Sequence, residues 1–416
     1  MPDDSTATAP AASEGASAAA ATALERADAL AACTEDPARL TRRFATPALA
    51  QAGDLVLGWM RDAGMTAGRD AIGNVAGRWE PPGLPAGAPT LMFGSHLDTV
   101  RDAGRYDGML GVLVALAVVE SVRERSGPPF ALEVLGFADE EGVRFGTAYL
   151  GSAAVAGRFD PDWPALRDAD GVALADLLRG DPQTAARPVR AYAEVHIEQG
   201  PVLEAEDLPV GVVTGIAGQT RAEVVFTGVA AHAGTVPMAL RRDALAGAAE
   251  WIGAVEARGR AVDGLVATVG EATVAPGASN VIPGRVALSL DVRHPDDALR
   301  DASVADLRAR AEEVAGARGL HAAWTEVQAT GAVTCSPGLA RALETAVEDT
   351  GVRVVRLPSG AGHDAAVMAR ICEIAMLFVR CAGGVSHNPA EAVTAADVAV
   401  AIDVVRGLVD TLARAR

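Results

Sequence analysis

Three of the seven histidines, His96, His196 and His387, each stand where an apolar run meets a polar, glycine-containing turn. Imidazoles and carboxylates at such places suit zinc, manganese, cobalt or nickel. The carboxylates Asp98, Asp107, Glu140 and Glu141 lie beside them in the chain, at strand ends or at a helix start. Taken singly, each has an ordinary explanation. Asp107 could cap the helix that follows it, Glu140-Glu141 could be a solvated pair, and a lone histidine is more often structural than a ligand. Taken together they favour a metal site. Two adjacent carboxylates ending an apolar strand let one bind metal while its neighbour takes a proton from water. The spacing His96-Leu97-Asp98 lets Asp98 stand behind His96 as its hydrogen-bond partner.

These residues need a scaffold, and the hydrophobic pattern predicts one. Residues 23–63 read as helical, and an apolar strand at 89–93 runs into Gly94-Ser95-His96-Leu97-Asp98. Asp107-Gly108 opens a helix to about residue 125, and a buried strand at 132–138 ends in Asp139-Glu140-Glu141. Strands alternating with helices, with polar residues just past the strand ends, predict an α/β sheet carrying its site at the carboxyl edge. The pattern changes near Gly215. Residues 220–226 alternate, 242–257 read as a helix, 265–269 and 285–292 alternate, and 301–318 form a second helix. This is an inserted α+β domain of about a hundred residues, within ordinary domain size. The α/β pattern resumes near Cys335 with a helix, a strand at 352–357, a helix after His363, a strand at 375–379 and a closing helix. The expected division is a disordered tail at 1–22, a catalytic domain at 23–215 and 330–416, and the insertion at 216–329. The tail is Ala, Ser, Thr, Pro and acid, with nothing large to bury.

Composition narrows the function. Half the residues are apolar, ample for a large core. A net charge of −18, from 36 basic and 54 acidic residues, disfavours nucleic acid and anionic membrane as partners. The longest apolar run, 112–119, is too short to span a bilayer, and the acidic start makes a poor signal peptide. Cys33, Cys335, Cys372 and Cys381 are scattered without paired spacing, which predicts core positions and a reducing cytoplasm.

The blocks Gly94-Ser95-His96-Leu97-Asp98-Thr99-Val100, Tyr106-Asp107-Gly108 and Ala138-Asp139-Glu140-Glu141-Gly142 resemble the metal motifs of the M20 peptidase-like amidohydrolases. His196-Ile197-Glu198-Gln199-Gly200-Pro201 is similar to the branch acting on N-carbamoyl compounds. So are Gly218-Gln219-Thr220-Arg221, the block from Ala231 to Met238, and Ser386-His387-Asn388-Pro389-Ala390-Glu391. The resemblance implies two divalent metal ions per subunit (zinc, manganese, cobalt or nickel). His96 and His196 would hold one, Glu141 and His387 the other, and Asp107 would bridge them. Glu140 would be the general base and Asp98 would orient His96. The insertion would be a lid that also forms a homodimer interface, with His232 reaching the neighbouring subunit's site to stabilise the oxyanion. Asn280 and Arg293 resemble substrate-binding positions, and Gln199 and Gly360 would line the site. Arg293 suits a substrate carboxylate in bidentate fashion, although a strand-end arginine can equally sit in a surface ion pair. His363 could support a ligand or be purely structural, and His294 and His321 read as surface residues.

The family divides among allantoate, N-carbamoyl-L-amino acids and N-carbamoyl-β-alanine, all small carboxylates. The stretch from Phe137 to Thr147 and the run Met376-Leu377-Phe378-Val379-Arg380-Cys381 lean towards allantoate. Ala153 departs from the family, which usually has arginine after the serine at this place, so specificity could shift here. Two rivals remain to be weighed. A non-catalytic dimeric binding protein on the same scaffold is disfavoured by the retained Glu140. An M20 aminoacylase or dipeptidase is disfavoured by the His196-Ile197-Glu198-Gln199 block.

Overall fold

A computed structural model of the chain describes residues 12–125, 127–182 and 188–415. They form two compact units. One runs as far as Thr214 and resumes at Cys335–Leu357 and His363–Arg416. The other is Gly215–Thr334 together with Pro358–Gly362. The second unit therefore extends past the expected limit at 329 and recruits a short segment from further along the chain. Backbone bonding accounts for that segment, since Ala217 donates to the Ser359 carbonyl at 2.9 Å.

The first unit is built on a sheet whose core is four parallel strands. Their order is Ala131–Phe137, Thr90–His96, Val189–Ile197, Ile374–Val379. Thr90–His96, Ala131–Phe137 and Ile374–Val379 are buried at every position, as near-continuous apolar strands covered on both faces must be. Val75–Trp79 on one side and Val210–Ile216 on the other pair antiparallel to this core. The helix Met109–Arg123 is apolar almost all round and buries nearly every residue. A strand lies at Arg356–Ser359, later in the chain than the predicted 352–357. Among the described residues no helix is long and apolar enough to cross a membrane.

One expectation is overturned at the N-terminus. The chain is helical over Glu14–Ala31, so 14–22 of the predicted tail belong to a helix that continues into the region predicted helical, while residues 1–11 lie outside the described residues. Ser13 caps this helix by accepting from Ala16, and its hydroxyl and backbone N–H both donate to Asp403. Ala16, Ala20, Ala23, Ala27 and Leu30 form its buried stripe, packed against the Ala395–Arg414 helix. Alanine is the strongest helix former, and a stripe of methyl groups buries well because it lets two helix backbones approach closely. Large side chains were not needed.

The second unit is a five-stranded antiparallel sheet with two helices on one face. Its path is Ala272–Ala275, Arg285–His294, Gly218–Thr227, His321–Thr330, with Val266–Thr268 also paired to Arg285–His294. The helices are Ala244–Ala261 and Asp297–Arg318, capped by Asp243 and Asp296. Alternation sorts the two central strands. Ala222, Val224 and Phe226 face inward with Val286, Leu288, Leu290 and Val292, against Trp251 and Leu307. The opposite face carries Gln219, Arg221 and Glu223 beside Ser289, Asp291 and Arg293, with Asp291 directly across from Arg221 and Arg293 across from Gln219. The edge strand His321–Thr330 is interrupted by a bulge between Glu326 and Gln328. His294, expected at the surface, is only 5% exposed. It continues the inward parity of Val292, and its Nε2 donates to the Asp263 carbonyl at 3.0 Å. His321 is exposed.

Candidate active site

The carboxyl ends of the four parallel strands converge, and the expected ligands sit there. His96 ends one strand, Glu140 and Glu141 follow another, His196 lies near the end of a third, and His387 follows the fourth. Asp107 enters from the loop that leads into the Met109–Arg123 helix. Its Oδ1 lies 3.4 Å from His96 Nε2 and 3.1 Å from His196 Nε2. Its Oδ2 lies 3.2 Å from His387 Nε2, which is 3.5 Å from Glu141 Oε1. Two groups of donors follow, His96 with Asp107 and His196, and Asp107 with Glu141 and His387, each gathered within 4.8 Å. His96, Glu140 and Glu141 form a third such group.

Hydrogen bonding fixes what these donors offer. His96 Nδ1 donates to the Asp98 carbonyl at 3.0 Å, and His196 Nδ1 donates to the Ile197 carbonyl at 2.9 Å. In each neutral ring Nε2 is left with a lone pair directed at a carboxylate oxygen. A proton on Nε2 or a cation held between the two groups resolves each of these contacts, and with Nδ1 committed to a carbonyl Nε2 is the ring atom that can bind a metal, so the donor set fits one. Without a metal the electrostatics favour the protonated rings. Burial disfavours a charged His96, yet Asp107, Asp98 and Glu140 hold its pKa well above the ordinary value. Burial likewise opposes ionisation of Asp107, but its bonds to His196, His387 and His96 hold it well below the usual range.

Asp98 partners His96 through its backbone and has a second task besides. Its carboxylate is 3.6 Å from His96 Nδ1, which leans instead on its backbone carbonyl. The carboxylate accepts the backbone N–H groups of Glu140 at 3.0 Å and Glu141 at 3.2 Å. Asp98 thus shapes the turn that carries both glutamates. Burial, together with Glu141, Asp364 and Asp98 and against the pull of His96, raises Glu140 well above the ordinary carboxyl range. Burial pushes Glu141 up to about 7.

Further groups support the donors, and among them Glu391, Ser386 and Arg42 had no expected role. Glu391 Oε1 accepts the backbone N–H of Tyr106 at 2.7 Å and of Asp107 at 3.0 Å, which fixes the Asp107 loop. Ser386 Oγ and Gln199 Nε2 both donate to Asp107 Oδ2, at 2.7 Å and 2.9 Å. Gln199 and His387 hold left-handed backbone conformations, with φ of 57° and 55°, unusual for such side chains and often found at functional sites. At Gly108, φ is 73° and a Cβ would lie 2.5 Å from His96 Nε2, so only glycine fits. Arg42 is fully buried, and its Nε donates to the Leu97 carbonyl at 2.7 Å beneath the His96-Leu97-Asp98 segment. Glu391 and Ser386 lay within a quoted block, whereas nothing local marked Arg42. His363 packs edge-on against His196 with ring centroids 4.5 Å apart, and burial, then His196, holds it well below its ordinary value. It is a neutral wall to the site.

The remaining expected residues belong to the second unit. His232 and Asn280 are neighbours, for His232 pairs with Val281 and the Asn280 carbonyl accepts from Ala233. His232 Nδ1 accepts from the Gly234 N–H at 3.0 Å, which leaves Nε2 carrying the proton as an exposed donor. Arg293 and Gly360 also meet, Nη1 donating to the Gly360 carbonyl at 2.7 Å. Arg293 is already paired with Asp291 through Nε at 2.9 Å and Nη2 at 3.0 Å. Five guanidinium N–H bonds less these three leave one on each terminal nitrogen. Ala153 is buried within the short helix Leu150–Val155 of the first unit. Cys33, Cys335 and Cys381 are buried and Cys372 is half-buried, none in a disulfide.

Known proteins resemble this chain over nearly its whole length. It is 41% identical over 404 residues to a protein of Oryza sativa subsp. japonica named probable allantoate deiminase, covering 86% of this chain and 82% of that one. It is 42% identical over 385 residues to an N-carbamoyl-L-amino acid amidohydrolase of Geobacillus stearothermophilus, covering 90% and 94%. The crystal structure of an amidase of the hydantoinase/carbamoylase family from Burkholderia multivorans matches 95% of this chain and 98% of its own, with TM-score 0.90 and 35% identity. The family model for Peptidase family M20/M25/M40 matches residues 92–411, which hold every donor of the metal groups, and the chain belongs to that family.

Proposed function

We propose that this amidohydrolase cleaves the ureido C–N bond of a small N-carbamoyl carboxylate, with allantoate as its substrate, releasing ammonia, carbon dioxide and the freed amine. The observation that carries the reading is the convergence of two metal-competent donor groups on the two oxygens of Asp107, with Glu140 beside them. His96, His196 and Asp107 would hold one divalent ion, and Asp107, Glu141 and His387 a second. When bound, such ions supply Lewis-acid polarisation of the ureido carbonyl, which two nitrogens otherwise deactivate, and of water. Glu140 takes a proton from the attacking water. It then returns that proton to the leaving nitrogen.

His232, with its proton fixed on Nε2, is the proposed donor to the oxyanion. Arg293 offers its two remaining N–H bonds to the substrate carboxylate, and Gln199, Asn280 and Gly360 complete the proposed contacts. A second copy of the chain is the proposed partner, docking through the inserted unit. The allantoate assignment rests on the sequence around Phe137–Thr147. The relative from Geobacillus stearothermophilus favours N-carbamoyl-L-amino acids as the second reading.

Ammonia release by manganese-loaded protein would be measured on allantoate, N-carbamoyl-L-amino acids and N-carbamoyl-β-alanine, with dipeptides as controls. Preference for allantoate supports the assignment. Preference for a carbamoyl amino acid keeps the reaction and replaces the substrate. Turnover of dipeptides alone overturns the proposal.

A further inference from the structure

The outward face of the second unit's sheet holds a charged array of which the reaction scheme above uses only Arg293. Asp291 is its centre. Asp291 Oδ1 accepts Arg293 Nε at 2.9 Å. Its Oδ2 accepts Arg293 Nη2 at 3.0 Å, Gln219 Nε2 at 2.7 Å and Arg221 Nε at 3.1 Å. The register explains the meeting. On one strand Asp291 and Arg293 are two residues apart and share a face, and the paired strand sets Arg221 and Gln219 directly opposite them. Gln219 and Arg221 come from the Gly218-Gln219-Thr220-Arg221 block, which had no assigned task. Arg221, Asp291 and Arg293 line a cavity of about 870 Å³ together with Glu223, Thr268 and Gly360.

We propose that Asp291 is a positioning residue for substrate recognition. It holds the Nε–Nη2 side of Arg293, with Gln219 and Arg221 holding Asp291 in turn, so that the opposite edge of the guanidinium is presented to the substrate carboxylate. The inference rests on the reading of Arg293 as the carboxylate clamp and adds how that clamp is set. Arginine has a long, rotamer-rich side chain, and ordering it before the substrate arrives removes that cost from binding. The Gly360 carbonyl secures Nη1 from the other side. Arg293 is thus held at three N–H bonds and free at two, one on each terminal nitrogen, which matches the two oxygens of a carboxylate. Burial opposes ionisation of Asp291, but Arg293 and Arg221 outweigh it and keep its pKa below the ordinary value.

The test compares holoenzyme with Asp291→Asn, Asp291→Glu and Arg293→Met. Each is assayed on the preferred ureido acid and on the carboxamide of the same compound, with metal content and melting temperature recorded. Asparagine keeps the shape but turns one acceptor into a donor facing the arginines. The expected result is that the ratio of kcat/KM for acid over carboxamide falls about tenfold or more in Asp291→Asn, the order of loss that slight misplacement of a clamp produces. The loss falls on KM rather than kcat, with metal content kept and partial recovery in Asp291→Glu. Equal losses on acid and carboxamide, accompanied by a lower melting temperature, would show a merely structural ion network and overturn the proposal. So would an unchanged ratio in Asp291→Asn while Arg293→Met lowers it. If Arg293→Met leaves the ratio unchanged, the clamp reading itself fails, and the role of Asp291 with it.

Discussion

Replacing Asp98 by asparagine tests the most specific claim about the site, that this side chain holds the turn of Glu140 and Glu141 rather than the ring of His96. In the parent, one carboxylate accepts two backbone N–H groups, at 3.0 Å and 3.2 Å, in a place only 1% exposed. Asparagine can accept one of them. Its amide nitrogen then faces the other, so one charge-assisted bond worth about 1.5–3 kcal/mol is lost and a buried donor is orphaned at about 1–3 kcal/mol. The chain can relieve part of this only by shifting the turn, and a shift near 1 Å at the base costs on the order of a hundredfold in kcat. His96 should be spared, because its Nδ1 bonds to the Asp98 backbone carbonyl, which the substitution leaves in place. Metal content by elemental analysis, kcat and a thermal melt would be measured together. The expectation is a weakened ion at Glu141 and His387, a retained ion at His96 and His196, and a large fall in kcat. Full loading with near-parental kcat would refute the reasoning. Equal loss of both ions would mean that the side chain acts through His96 after all.

Three further outcomes are expected. Glu140→Gln should keep the metal content and lower kcat by about 10²–10⁴-fold, as removal of a general base does; retained turnover would remove Glu140 from that role. Gly108→Ala places a methyl group 2.5 Å from His96 Nε2 and forces a left-handed alanine at about 1–2 kcal/mol, so metal affinity should drop, as read by titration against a chelator; parental affinity would contradict the packing described. Ala20→Leu overfills the alanine stripe of the Glu14–Ala31 helix and should lower stability by about 1–3 kcal/mol in a denaturant melt, whereas an unchanged midpoint would mean that this stripe is not buried in solution.

The candidate metal donors were legible because a parallel sheet collects its strand ends on one edge, and residues such as His96, Glu141 and His196 sit at those ends in the sequence. What was not legible depended on partners far along the chain. Arg42 meets Leu97 across a separation of 55 residues and Glu391 meets Asp107 across 284, and neither leaves a periodic trace. The first turns of the Glu14–Ala31 helix, 14–22, were not legible because alanine offers little apolar area for a hydrophobic pattern to register, although helix propensity and close approach favour it. His294 carried a signal that went unread, the inward parity of Leu290 and Val292. Asp291 did too, two residues from Arg293 and therefore on its side of the strand.

The bulge in the His321–Thr330 strand bears on solubility. Among the described residues this strand pairs on one side, with Gly218–Thr227, and most of its ten residues are exposed. A straight edge of that length is a template on which foreign extended segments can assemble without limit. Here the register breaks between Glu326 and Gln328, so the template divides into 321–326 and 328–330, each too short to recruit a long segment in a single register. Exposed Val327, lying at the break, serves as a spacer, and deleting it would restore a flat ladder along which copies of the chain could aggregate.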